Sequence, residues 1–176
     1  MEYMNTEQKL TYSSKSLDHT LDLGLKLAKL CSPPFLIELV GDLGGGKTAL
    51  VKAIAKGLGI TQTVTSPSYN IHRSYSSSEG TKLEHFDLYR LNDDEIVQNE
   101  LIDALADDKA IVCVEWAQHF AGHSSDNRLT IECHYESPSS RRYEISGFGK
   151  AAQTIISELK RWYWRSVATN PKQSYT

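Results

Sequence analysis

The sequence predicts an α/β fold, a mostly parallel central sheet flanked by helices with antiparallel hairpin additions, on three observations. A glycine-rich turn, Gly41 to Thr48, lies between the apolar run Phe35 to Val40 and a stretch with apolar residues at helical spacing. A second apolar run, Ala110-Ile111-Val112-Cys113-Val114, reads as a central buried strand and ends on a carboxylate, Glu115. Two pairs of strand-like runs flank turns rich in Ser, Gly or Pro, as antiparallel hairpins do.

Lys9 to Ser13 reads as a short first strand. Ser16 is placed to cap a helix carrying Leu17, Leu21, Gly24, Leu25 and Ala28 on one face. Pro33-Pro34 ends that helix, because the residue before a proline is pushed away from helical conformation, and feeds the strand at Phe35. Beyond the glycine turn, Leu50, Ile54 and Leu58 mark a helix that Gly57 and Gly59 stop. Thr63 to Tyr69 is a hydroxyl-rich connector bent at Pro67. Tyr69 to Tyr75 and Lys82 to Asp87 form a hairpin around Ser76 to Gly80. Asp93 to Leu105 is an acid-fronted helix with Ile96, Leu101 and Leu105 inward. Arg128 to Tyr135 and Arg141 to Gly147 pair around Pro138, and a last helix runs from Gly149 to Tyr163. Residues 1–165 are expected to form one domain and 166–176 a frayed tail.

The glycine turn reads Gly-Asp-Leu-Gly-Gly-Gly-Lys-Thr and matches the phosphate-binding pattern Gly-x-x-x-x-Gly-Lys-Ser/Thr. Successive amides in such a loop curl around an anion, and the following helix adds its positive N-terminus. Gly41 and Gly46 let the backbone approach phosphate without a Cβ in the way. Lys47 reaches the β- and γ-phosphates, and the Thr48 hydroxyl reaches Mg²⁺. The nucleotide contacts are assigned to Gly41, Asp42, Leu43, Gly44, Gly45, Gly46, Lys47, Thr48 and Ala49. The fold is therefore expected to be P-loop NTPase-like.

Such a loop needs a carboxylate opposite it, at the end of a neighbouring buried strand. Glu115 and Asp87 both qualify, and which of them touches the metal is left open. His85 and Asp87 are two apart on one strand and share a face, where the imidazole is expected to orient the Asp87 carboxylate. Trp116 borders either the nucleotide or the core. Arg90 is either a finger on the γ-phosphate or an ion-pair partner near Asp87. His119 and His123 stand at i, i+4, but no Glu follows His119 and no third ligand is evident, so zinc is not assigned.

The 176 residues suit one domain, and 40% hydrophobic with 23% charged content is ordinary for a globular protein. A formal net charge of −3 argues against binding nucleic acid by overall charge alone. Cys31, Cys113 and Cys133 are odd in number and widely spaced, and read as buried thiols in a reducing compartment. The acidic, polar N-terminus is unlike a signal peptide, and no apolar run approaches the ~20 residues that cross a bilayer. A cytoplasmic protein without membrane contact is expected.

Four motifs in order carry a resemblance: the glycine loop, Ser66-Pro67-Ser68-Tyr69, His85-Phe86-Asp87-Leu88-Tyr89-Arg90, and Val114-Glu115-Trp116. Together they resemble the TsaE (formerly YjeE) P-loop ATPases of bacterial tRNA threonylcarbamoyladenosine synthesis. The resemblance covers nearly the whole chain, from Leu10 to Lys160. It implies that ATP and Mg²⁺ are the cofactors, that Thr48 and Glu115 coordinate Mg²⁺, and that Asp87 positions or activates the attacking water. Lys47, Asp87 and Glu115 are then the catalytic set. The Thr65–Tyr69 connector, with Thr65 and Ser66 at the nucleotide, would act as a switch that senses the γ-phosphate. The segment Ser14–Leu17, with Leu17 as its contact, would border the adenine side, and Ser140 and Arg141 would close over the nucleotide. The implied partners are a TsaD–TsaB pair, which ATP hydrolysis would reset between rounds of adenosine-37 modification. Three positions depart from the family pattern: Gly45 for Ala, Ser68 for Thr, and Ala117 for Pro. The first is expected to loosen the loop slightly.

Two readings compete with an accessory ATPase. A small-molecule kinase would need a second pocket and an Arg-rich lid, for which no Arg cluster is visible. A nucleotide-gated binding module of the GTPase kind would carry Asn-Lys-x-Asp, which is absent. From Gly149 onward five cations face a single acid, Glu158, and Trp162, Tyr163 and Trp164 interleave with them. That mixture suits either a terminal helix burying its aromatics or a contact with tRNA.

Overall fold

The computed structural model describes residues 9–67, 70–90, 95–119, 125 and 127–169. Seven strands form one sheet: β1 (Lys9–Ser14), β2 (Phe35–Val40), β3 (His72–Ser76), β4 (Lys82–Asp87), β5 (Ala110–Glu115), β6 (Arg128–Tyr135) and β7 (Arg141–Phe148). Their order across the sheet is β1-β7-β6-β2-β5-β4-β3. The inner four, β6, β2, β5 and β4, run parallel, and antiparallel strands extend both ends. Every residue of β5 is buried, as a strand covered on both faces requires.

Among the described residues four α-helices cover the sheet: α1 (Leu17–Leu30), α2 (Lys47–Gly57), α3 (Glu95–Ala106) and α4 (Lys150–Thr169). Phe35, Ile37 and Leu39 of β2 join one core with α1, α2 and α4, while Leu36 joins a smaller core with α3. That alternation places three helices on one face and α3 on the other. The side chain of Ser16 caps α1 by accepting from the His19 N–H. A Schellman motif closes α2: Gly59 N–H bonds Lys56 O and Ile60 N–H bonds Ala55 O, with Gly59 at φ +75°.

The inward faces of two helices differ from expectation. On α1 the buried stripe is Thr20, Leu23, Gly24, Leu27 and Ala28, whereas Leu17 is exposed. Small residues are required there because α1 and α2 lie against each other. A Cβ on Gly24 would stand 2.2 Å from Ala53 Cβ, and one on Gly57 2.5 Å from Ala28 Cβ. On α3 the buried residues are Val97, Leu101 and Ala104, and Ile96 is 70% exposed. The last helix continues past Tyr163 to Thr169, so the first part of the expected tail is helical; residues 170–176 lie outside the described residues. All three cysteines are free and buried. Among the described residues no helix is long and apolar enough to cross a membrane.

Candidate functional site

The glycine loop leaves the C-terminal end of β2 and enters α2, with Gly41, Gly44 and Gly46 at φ of +113°, +79° and +96°. Side chains would strain these positions. The loop is pressed against β6: a Cβ on Gly41 or on Gly45 would lie 2.4 Å from the Cys133 carbonyl oxygen. Gly45 therefore does more than loosen the loop; the close approach of the β6 main chain demands it. Gly46 is the N-cap of α2 and no side chain caps that helix, which leaves its first amides directed at the loop.

Lys47 is buried and its ammonium donates to the carbonyls of Gly41 (2.6 Å) and Asp42 (2.8 Å). The same nitrogen lies 3.9 Å from the centre of the Trp116 ring. Burial lowers the Lys47 pKa below the usual lysine value, against the pull of nearby acids, Glu115 and Asp87 among them. Trp116 adopts φ +62°, a costly conformation for a bulky side chain, and the residue directly follows Glu115.

The two acids are cross-strand neighbours, since the β4–β5 register sets Asp87 opposite Glu115. Thr48 donates its hydroxyl to both Glu115 oxygens, at 2.8 and 3.0 Å. His85 is fully buried and its Nε2 lies 2.8 Å from Glu115 Oε1. The imidazole therefore orients Glu115, not Asp87, because the neighbouring strand brings that carboxylate within reach. Asp87 accepts instead from the Ser66 hydroxyl and the Tyr89 N–H, both at 3.1 Å. The connector is thus tied to the acid through Ser66 and to β3 through Thr65, whose N–H donates to the Tyr75 hydroxyl at 3.2 Å.

A cleft of about 340 Å³ opens over this group. It is lined by the loop from Leu43 through Ala49, by Ser66, Asp87 and Glu115, and by Tyr89, Trp116 and Arg141. Among the expected site residues, Gly41 and Asp42 sit behind it as acceptors for Lys47. Leu17, Thr65 and Ser140 are not in its lining. The Ser140 and Ser137 carbonyls hold the Arg141 guanidinium, which lies 4.7 Å over the Tyr135 ring. Arg90 is exposed. Ser68, Tyr69, His123 and the side chain of His119 lie outside the described residues.

Sequence reasoning missed Tyr143 and the partner of His85. The Tyr143 hydroxyl would touch a Cβ on Gly46 at 2.6 Å, and it bonds Thr20 Oγ1 at 3.2 Å, which bonds Ser14 Oγ at 2.8 Å. This buried hydroxyl chain ties the loop to the start of α1. Burial pushes the Tyr143 phenol up to about 12. No local pattern announces either contact, because both depend on strand register.

The chain resembles proteins of one description. It is 29% identical to the tRNA threonylcarbamoyladenosine biosynthesis protein TsaE of Nostoc, covering 89% of this chain and 98% of that one. The Bacillus subtilis protein of the same name is 28% identical over 88% and 96% of the two chains. The Streptomyces coelicolor counterpart is 37% identical over 62% of this chain and 75% of its own. The crystal structure of Bacillus subtilis YdiB superposes with a TM-score of 0.73 at 26% identity, over 89% of this chain and 97% of that one, so the fold is P-loop NTPase-like. With residues 14–143 matched by the model of the threonylcarbamoyl adenosine biosynthesis protein TsaE, the chain belongs to the TsaE family.

Proposed function

We propose that this protein binds and hydrolyses ATP with Mg²⁺, and that the cycle serves a TsaD–TsaB-type assembly in threonylcarbamoyladenosine modification of tRNA. One observation carries the reading: Thr48, on the helix behind the phosphate loop, meets Glu115, which stands in register with Asp87. Loop amides and Lys47 would grip the β- and γ-phosphates, and an anion beside the buried ammonium would favour its charged form, against the lowering that burial causes. A hydroxyl and two carboxylates are hard oxygen donors that fit Mg²⁺, with Thr48, Glu115 and Asp87 available to hold it or its waters. When bound, that ion would neutralise charge developing on the phosphates.

His85 holds Glu115 from the protein side, so the carboxylate meets the cleft in one orientation. Asp87 would orient the attacking water, and its bond to Ser66 would let the connector respond to the γ-phosphate. Trp116 roofs Lys47 and keeps bulk water from the ammonium. The transferase chemistry would belong to the partner.

Equilibrium nucleotide binding and phosphate release on two variants test the proposal. Lys47→Ala is expected to abolish nucleotide binding, and Asp87→Ala to retain binding while turnover is lost. Normal hydrolysis by the Asp87 variant would remove the mechanism. Phosphate appearing on a metabolite in place of free phosphate would favour a kinase, and GTP outcompeting ATP would favour a nucleotide-gated module.

A further inference from the structure

Away from the nucleotide cleft, α1 and α4 enclose a groove made of two adjoining cavities of about 370 and 340 Å³. They share Lys26, Trp162 and Ser166, and neither is lined by a residue of the phosphate-loop cleft. Four cations border the groove: Lys26 and Lys29 from α1, Arg161 and Arg165 from α4. Two acids accompany them, Asp22 and Glu158, the latter 3.0 Å from Arg161. Between the two rows of cations, the Trp162 ring stacks on Tyr12 with centroids 5.8 Å apart and planes 12° apart.

The chain has a net charge of −3, yet from Gly149 onward it carries five cations and one acid. Four of those cations, Lys150, Lys160, Arg161 and Arg165, and the one acid, Glu158, lie on α4. Tyr163 turns into the core, which accounts for one of the three aromatics. Trp164 does not: it is 63% exposed, one helical turn from Lys160 and Arg161. Its ring touches Tyr163 on one side, with centroids 5.4 Å apart, and is otherwise largely exposed, and an exposed indole beside lysine and arginine is what a base-stacking surface needs.

We propose that the α1–α4 groove binds the phosphodiester backbone of RNA, with Trp164, which stands on α4 outside the groove's lining, stacking on an unpaired base at the groove's margin. Charge complementarity favours a polyanion, and the exposed indole favours one that carries bases over an acidic protein. Membership of a family that acts in tRNA modification makes RNA available to this surface. The inference stands apart from ATP hydrolysis.

Fluorescence anisotropy of the full chain with a labelled single-stranded RNA and with an unmodified tRNA transcript tests it. Four phosphate contacts predict that affinity for the single strand falls about fifty-fold between ~50 and ~200 mM salt. The triple variant Lys26→Glu, Arg161→Glu, Arg165→Glu is expected to lose at least about tenfold in affinity and to flatten that slope. Its melting temperature and nucleotide binding should stay as in the parent. Trp164→Ala should lose about tenfold with the slope unchanged. Lys47→Ala, blind to nucleotide, should bind RNA normally, which separates this site from the phosphate loop. Absence of RNA binding at ~50 mM salt, or a triple variant with parental affinity and slope, overturns the proposal. So does a triple variant that keeps RNA but loses a protein partner.

Discussion

Gly45 shows how one missing methyl group sets the shape of a binding loop. A Cβ there would meet the Cys133 carbonyl oxygen at 2.4 Å and the Asp42 carbonyl oxygen at 3.1 Å, and both neighbours are main chain. Gly45→Ala is expected to destabilise the fold by ~1–3 kcal/mol and weaken nucleotide binding, because relief requires the loop to lift from β6. Denaturant titration and nucleotide titration on one variant check both parts. The thiols supply a second residue-scale prediction. Burial pushes Cys31 and Cys133 up to about 12 from 9.0, and Cys113 further still. The unfolded chain releases these protons first, so their contribution to stability is complete below pH 9 and is lost as pH rises towards 12. Each thiol adds a slope of ~1.4 kcal/mol per pH unit. Lys47 acts in the opposite sense just below 10.5, its folded pKa being lowered. Urea midpoints measured between pH ~9 and ~10 should fall, and Cys31→Ala should remove about a third of the thiol slope.

At the level of elements, the pairing of α1 with α2 depends on the absence of side chains. Gly24 faces Ala53 and Gly57 faces Ala28, so the helices approach through their smallest residues. Alanine in place of Gly24 would raise helix propensity by ~1 kcal/mol, yet its methyl group would overlap Ala53 and crowd the α2 backbone. The overlap is the larger effect, and Gly24→Ala should lower the melting temperature in calorimetry, at a net cost of ~1–2 kcal/mol. The same packing explains why the inward face of α1 was misread. Of the expected face, Gly24 and Ala28 are buried, whereas Leu17 is exposed, Leu21 and Leu25 are half-buried, and the stripe is completed by Thr20, Leu23 and Leu27. The central strands were legible because the apolar run between Pro34 and Gly41 coincides with β2 and the apolar run Ala110 to Val114 lies within β5. The loop and its two acids were legible as well, since their chemistry is written in contiguous motifs. The His85–Glu115 bond was not, because it depends on which strand lies beside β4 and in what register.

Across the whole molecule, the family match at residues 14–143 ends inside β7, yet the core does not end there. Ala152, Ile155, Ile156, Leu159 and Tyr163 of α4 are buried in the larger core with β1, β6 and β7. A chain stopped after Phe148 is therefore expected to lose its cooperative thermal transition and aggregate, whereas one stopped after Thr169 should melt with the parent. Leu159→Ala alone should cost ~2–5 kcal/mol in denaturant titration. The arrangement at Lys47 bears on the molecule's choice of ligand. Its ammonium is already satisfied by the Gly41 and Asp42 carbonyls, so an arriving anion must exchange partners with the main chain. A lone orthophosphate ion offers few compensating contacts, while a polyphosphate tail spans the loop and reaches the acids beyond it. If the proposed ATP site is correct, the resting loop is expected to act as a length filter, passing over a single small oxyanion and yielding to an extended one.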